Sequence, residues 1–247
     1  MEAYLDNSAT TRVDAQVQEL MKKLMDVDFG NPSSRHQKGV VAEGYIKEAR
    51  QKIAATLKVD PKEFIITSGG TESNNMALIG TALAAKRKGN HIITTAVEHP
   101  SVKATASFLE EQGFRITFLS VDSRGQISLE DLKEALTPDT ILVSIMYVNN
   151  EIGTIQPVEE AAKLVHATVP GAVFHVDAIQ AYGKVMIRPK QQGIDLLSVS
   201  SHKFHGPKGA GFLYCSSKVN LHPIIFGGGQ QSGMRSGTEN VPGAAGM

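Results

Sequence analysis

The chain has 247 residues, 41% hydrophobic and 20% charged, enough apolar material for a large α/β core. Lys plus Arg and Asp plus Glu each number 25, so the formal charge is zero and neither nucleic acid nor a membrane surface is an expected partner. The single cysteine, Cys215, excludes an internal disulfide framework and any metal or cluster site built from several cysteines of this chain; no metal is expected. The opening residues Met1 to Asp6 carry no basic region followed by an apolar run, and no apolar stretch is long enough to span a bilayer, so the expected location is the cytoplasm.

From about Val40 to Val199 the apolar pattern switches repeatedly between helix and strand, which predicts βα units around a mostly parallel sheet with helices on both faces. Val41 to Leu57 reads as an amphipathic helix, Phe64 to Thr67 as a short strand, and about Glu72 to Lys88 as a second helix. A strand over His91 to Ala96, a helix over Ser101 to Gln112 and a strand over Arg115 to Leu119 follow. Asp122 to Gly125 is a turn, and Ser128 is placed to cap the helix after it. Ile141 to Val148 is a continuous apolar strand of the kind buried in parallel sheets. Pro157 opens another helix, Ala172 to Val176 forms a strand finishing at Asp177, and Ile194 to Val199 pairs with Ala210 to Cys215. The glycine-rich loop Phe226 to Thr238 precedes Asn240 to Gly246, which has the pattern of a helix only beginning; we expect truncation there.

Chemistry gathers at the strand ends. In open α/β sheets ligands bind outside the carboxyl ends of the strands. The run from Ser200 to Gly209 puts Lys203 there beside Ser200, His202 and the stiff Gly206-Pro207-Lys208-Gly209. A lysine so placed can form a Schiff base, while hydroxyls, imidazole and backbone N–H groups take a phosphate; the ligand that fits is pyridoxal phosphate. The loop Thr67 to Asn75 has Gly69 and Gly70 for close backbone approach, with Thr71 at a helix start, and suits a phosphate monoester. Taken alone, it also reads as an ordinary capped turn. His99 could lie against a planar ring and shuttle protons, or be a hydrogen-bonded structural histidine. Asp177 could pair with a protonated pyridine nitrogen or cap the next helix. Asn150 follows a buried strand to the same rim. Thr71, His99, Asn150 and Asp177 from four strand ends, together with Lys203, are far more specific than any one of them.

These residues resemble the cysteine desulfurases of the NifS/IscS type, in class V of the fold-type-I pyridoxal-phosphate enzymes. The likeness runs through Tyr4-Leu5-Asp6-Asn7-Ser8-Ala9-Thr10-Thr11, Gly30-Asn31-Pro32-Ser33-Ser34, Ser68-Gly69-Gly70-Thr71-Glu72, Glu98-His99, Val148-Asn149-Asn150-Glu151-Ile152-Gly153, Asp177-Ala178-Ile179-Gln180, Ser201-His202-Lys203 and Arg235-Ser236-Gly237-Thr238. The resemblance implies a large cofactor domain over 15–247, an N-terminal segment 1–14 that associates with a small domain, and a small domain not contained in the sequence. It implies Lys203 as the Schiff-base lysine, Asp177 on the ring nitrogen, and His99 stacked on the ring as a proton carrier. Asn150 and Gln180 would lie near the phenolic oxygen and substrate. Gly70, Thr71, Ser200 and His202 would hold the phosphate, and Thr238 would reach the phosphate site of a second subunit in a homodimer.

The implied reaction takes L-cysteine to L-alanine and passes sulfur to an enzyme thiolate as a persulfide, for an acceptor or iron–sulfur scaffold protein. The nucleophilic cysteine and a carboxylate-binding arginine of the family lie beyond Met247, so the chain as it stands is not expected to complete turnover. Cys215, within an apolar strand, is expected to be inert, and Gln231 stands where the family usually has glutamate. A selenocysteine lyase, another class V enzyme, or a non-catalytic cofactor-binding or dimerisation module shares the Lys203 and Asp177 pattern.

Overall fold

A computed structural model describes residues 3–247. Helices α1 (Ala15–Asp26) and α2 (Gln37–Leu57) precede strand β1 (Phe64–Thr67), followed by α3 (Gly70–Ala85), β2 (His91–Thr95), α4 (Pro100–Glu111), β3 (Arg115–Leu119) and α5 (Leu129–Ala135). The chain continues through β4 (Thr140–Met146), α6 (Val158–Thr168), β5 (Val173–Asp177), α7 (Pro189–Gln192), β6 (Leu196–Ser200), β7 (Gly211–Cys215) and α8 (Val241–Ala245). Among the described residues, no helix is long and apolar enough to cross a membrane.

The strands form one sheet in the order β1-β7-β6-β5-β4-β2-β3. Strand β7 runs antiparallel to β1 and β6, and the other pairings are parallel. The link from Ser200 to Gly211 is too short for a crossover, which forces β7 to run against β6. Side chains alternate between two buried faces. Phe64, Val143, Phe174, Leu197 and Phe212 pack under α6 and the end of α2, while Ile65, Leu142, Leu196 and Leu213 pack under α3 and α4. Each fully buried large side chain contributes roughly 2 kcal/mol of transfer free energy, so the sheet is held from both sides.

The expected elements are present, with shifted ends. The helix expected from Glu72 begins at Gly70, so its first turn carries the glycine and Thr71 themselves. The helix expected from Val41 starts at Gln37, because His36 caps it with Nδ1 accepting from the Gly39 N–H. Helix α1 has no counterpart in the pattern reading; its apolar stripe carries Leu20 and the buried Leu24 against Val241 and Ala244 of α8. The beginning helix near the end of the sequence is α8, capped by Asn240 Oδ1 on the Gly243 N–H at 3.0 Å. Residues 1 and 2 of the expected segment 1–14 lie outside the described residues. Its later part runs along the β6–β7 connection: the Thr11 N–H donates to the His202 carbonyl and the Asp14 N–H to the His205 carbonyl.

Candidate active site

Six parallel strands point one way, so their carboxyl ends crowd one edge of the sheet, where a cleft of about 700 Å³ opens. Gly70, Thr71, His99, Asn150, Asp177, Gln180, Ser200, His202 and Lys203 all line it. Thr238 does not; it is exposed at the surface.

The cleft wall under α3 is shaped by glycine. Gly69 has φ +143°, a conformation that favours glycine, and a Cβ on Gly211 would meet the Val199 carbonyl oxygen at 2.5 Å and Gly69 Cα at 2.7 Å. This tight contact seats the Gly69 loop against β7 and turns the first N–H groups of α3, which lack intrahelical acceptors, toward the cleft. Glu72 does not compete for them: its Oε2 accepts from the Ser68 N–H at 2.9 Å, and Arg235 Nε donates to Oε1 at 2.7 Å. The hydroxyls of Thr71 and Ser200 and the His202 ring complete a set of donors suited to an anion.

Asp177 closes the floor. It is buried, 4% exposed, and accepts from the Ile179 N–H at Oδ1 (3.0 Å) and from Asn74 Nδ2 at Oδ2 (2.8 Å). Burial pushes its pKa up, and these two donors with the nearby His99 and Lys203 oppose that. A carboxylate so placed calls for a cationic partner inside the cleft. His99 caps α4: the Ser101 N–H donates to Nδ1 at 3.1 Å, leaving Nε2 on the opposite ring edge to carry the proton. Lys203 donates to the carbonyls of Ser8 (2.6 Å) and Ala9 (2.8 Å). Burial, then the neighbouring Lys184, lowers its pKa, while Asp177 and Asp6 work against that. Gln180 Nε2 donates to the same Ser8 carbonyl and its Oε1 accepts from Lys184. Asn150 donates to Glu151 at 2.6 Å, at the rim.

Four residues named in the sequence without a role in the site take definite places in the structure. Glu98 is buried, accepts at Oε1 from the Met146 N–H (2.7 Å) and Thr95 (2.9 Å), and burial, then Asp177, pushes its pKa up to about 8. Asn149 Oδ1 accepts from the N–H groups of Glu151 and Ile152 and its amide donates to the Val97 carbonyl, so it shapes the loop that presents Asn150. Gln231 is buried; its Oε1 accepts from the Ile66 N–H at 3.0 Å and from Arg50, and its amide donates to Glu239. Cys215 is partly buried at the far end of β7, and burial, then Asp195 and Glu63, pushes its thiol up to about 12.

The glycine cradle, the free helix N-terminus and the cation-seeking carboxylate opposite a lysine fit a phosphorylated, pyridine-type carbonyl cofactor. Comparison with known proteins points the same way. The family model described as Aminotransferase class-V matches residues 3–247. The chain is 51% identical over 244 residues to the putative cysteine desulfurase IscS 1 of Bacillus subtilis (strain 168), covering 99% of this chain and 64% of the relative. It is 50% identical to the cysteine desulfurase IscS of Dictyoglomus turgidum, covering 100% of this chain and 62% of that one. The chain therefore spans a little under two thirds of these relatives. Among solved structures, a NifS-like protein superposes with TM-score 0.97 at 45% identity, over 100% of this chain and 67% of that one. A structure described as SspA in complex with cysteine superposes with TM-score 0.95 at 40% identity, over 99% and 71%.

Proposed function

Since the chain belongs to the class V aminotransferase family and has the fold-type-I large-domain architecture of the NifS-like proteins, we propose that it binds pyridoxal phosphate and forms the cofactor-holding part of a cysteine desulfurase. The observation that carries this reading is the meeting of Asp177, Lys203, His99 and the α3 N-terminus in one cleft. The proposed substrate is L-cysteine, converted to L-alanine as its sulfur passes to a thiolate as a persulfide.

When bound, pyridoxal phosphate supplies a carbonyl that captures an amine and a ring that withdraws electron density from the captured molecule. The residues do the rest. Gly70, Thr71, Ser200 and His202 hold the phosphate through N–H, hydroxyl and imidazole donors. Asp177 holds the proton on the ring nitrogen. Lys203 supplies the amine, and its lowered pKa favours the neutral, nucleophilic form. His99 would face the ring and would carry protons through Nε2. Asn150 and Gln180 orient the substrate side of the cleft. The sulfur acceptor is a thiol other than Cys215, whose raised pKa keeps it protonated. Thr238, exposed and outside its own cleft, serves the cleft of a second copy in a homodimer, and a sulfur-accepting or iron–sulfur scaffold protein takes the product sulfur.

The test is reconstitution with pyridoxal phosphate, read by visible absorbance, followed by L-cysteine addition with alanine and sulfide assays. Lys203→Ala is expected to remove the absorption band of the lysine-bound cofactor. A band unchanged by that substitution overturns the assignment of Lys203.

A further inference from the structure

Helix α3 presents a second polar group one turn after the residues assigned to phosphate. Asn74 is fully buried on that helix, and both hydrogens of its amide go to other elements. One goes to Asp177 Oδ2 at the end of β5 (2.8 Å), the other to Ser101 Oγ in the first turn of α4 (2.9 Å). Ser101 Oγ lies 2.8 Å from His99 Nδ1. Because Oγ already accepts from Asn74, its own hydrogen is free for Nδ1, which also accepts from the Ser101 N–H. An unbroken chain of hydrogen bonds thus links Asp177, Asn74, Ser101 and His99.

The orientation of the amide is over-determined. Turning it over would place Oδ1 against the Asp177 carboxylate, two acceptors in contact. As it stands, Oδ1 is buried with no partner. An unpaired buried carbonyl is costly, and an apolar side chain would suit the surroundings of Ala77 and Leu78 on this helix. What the asparagine gains in return is the pair of donations.

We propose that Asn74 is a positioning residue that holds the ring-nitrogen carboxylate and, through Ser101, the stacking imidazole in one fixed arrangement. The roles given to Asp177 and His99 rest on the reading of the cleft above; the linkage rests on the distances alone. The charged and titratable groups facing Asp177 are His99 from the β2–α4 loop, Glu98 beside it, and Lys203 from the β6–β7 connection.

The test begins with the cofactor-free protein, labelled with ¹⁵N-histidine, with the His99 signals assigned by loss in His99→Gln. The wild type is expected to show Nδ1 as an acceptor and the ring proton on Nε2. Asn74→Leu, which does not touch His99, and Ser101→Ala are both expected to shift the His99 ring signals, and Ser101→Thr, which keeps the hydroxyl, to restore them. Pyridoxal phosphate is then titrated across pH. Asn74→Leu is expected to weaken binding roughly tenfold, the equivalent of one charge-assisted hydrogen bond. It is also expected to raise by about one unit the pH midpoint that Asp177→Asn abolishes. Ser101→Ala is expected to leave that midpoint in place while moving His99, which keeps the linkage testable even where Asn74→Leu fails to fold. His99 signals unmoved by both substitutions, or an affinity loss in Asn74→Leu equal at every pH, would overturn the proposal. A wild type that binds no pyridoxal phosphate overturns the reading of the cleft instead, and leaves the His99 measurement standing.

Discussion

The chemistry of Cys215 can be pressed with an alkylating reagent. Its thiol is pushed up to about 12 by burial, with Asp195 and Glu63 adding repulsion to the thiolate. At pH 7.5 a free thiol of pKa about 8.5 is roughly one tenth ionised, whereas Cys215 is ionised to about three parts in 10⁵, a deficit of roughly 3000-fold. A more basic thiolate is intrinsically the better nucleophile, by about 40-fold over this span at a Brønsted slope near 0.45. The net expectation is alkylation about a hundredfold slower than for glutathione, before restricted access slows it further. The assay is intact mass against time in iodoacetamide, with the rate rising nearly tenfold per pH unit from 7 to 9. Alkylation within tenfold of glutathione would refute the environment assigned to Cys215. Sulfur transfer lost in Cys215→Ser would refute its exclusion as the acceptor.

Gly211→Ala is expected to cost more than about 3 kcal/mol and to weaken pyridoxal phosphate binding, since the new Cβ meets backbone on both sides; urea denaturation and cofactor titration check both. His175 bridges Ser144 and Ser198 in the core, and burial lowers its pKa to about 3. Unfolding therefore takes up a proton at acid pH: the stabilisation from keeping His175 neutral is complete above about 6.5 and falls away toward 3, by up to about 5 kcal/mol. Urea midpoints for His175→Gln are expected to depend less steeply on pH across that window. Glu98 has the opposite sign, because its folded pKa, near 8, lies above the unfolded value. Its contribution is full below about 4.5 and is lost as pH rises to 8, so Glu98→Gln should gain stability relative to wild type between pH 5 and pH 8. A gain that is the same at both pH values would show that Glu98 is ionised in the folded protein.

Strands were readable where the apolar run was short and bounded, as at Phe64–Thr67 and Arg115–Leu119, whose limits agree with the pattern. The cleft residues were readable because they sit in strand-end loops, where a polar residue in a tight glycine-bounded turn has few structural reasons to be there. Asn74 and Ser101 were hidden for the converse reason. Asn74 and Asn75 are adjacent, and only the phase of α3 turns one to Asp177 and leaves the other half-buried against the Thr71 carbonyl. Helix α1 was within reach of the same reading, since Val17, Leu20, Met21, Leu24 and Met25 recur at helical spacing, but the pattern was followed only from about Val40. The hold of Ser8 and Ala9 on Lys203 spans 195 and 194 residues of sequence and reaches the lysine through backbone carbonyls, which leave no mark on residue identity.

That hold makes the beginning of the chain a sensor for the far side of the sheet. Three groups from the rim of the cleft, Lys203, Gln180 and His202, are pinned to residues 8–11. Arg12, exposed just beyond, offers a trypsin site. If Lys203 is drawn away from Ser8 and Ala9 by a carbonyl ligand, the segment loses two of its anchors, and the rate of cleavage after Arg12 becomes a measure of what the lysine is holding.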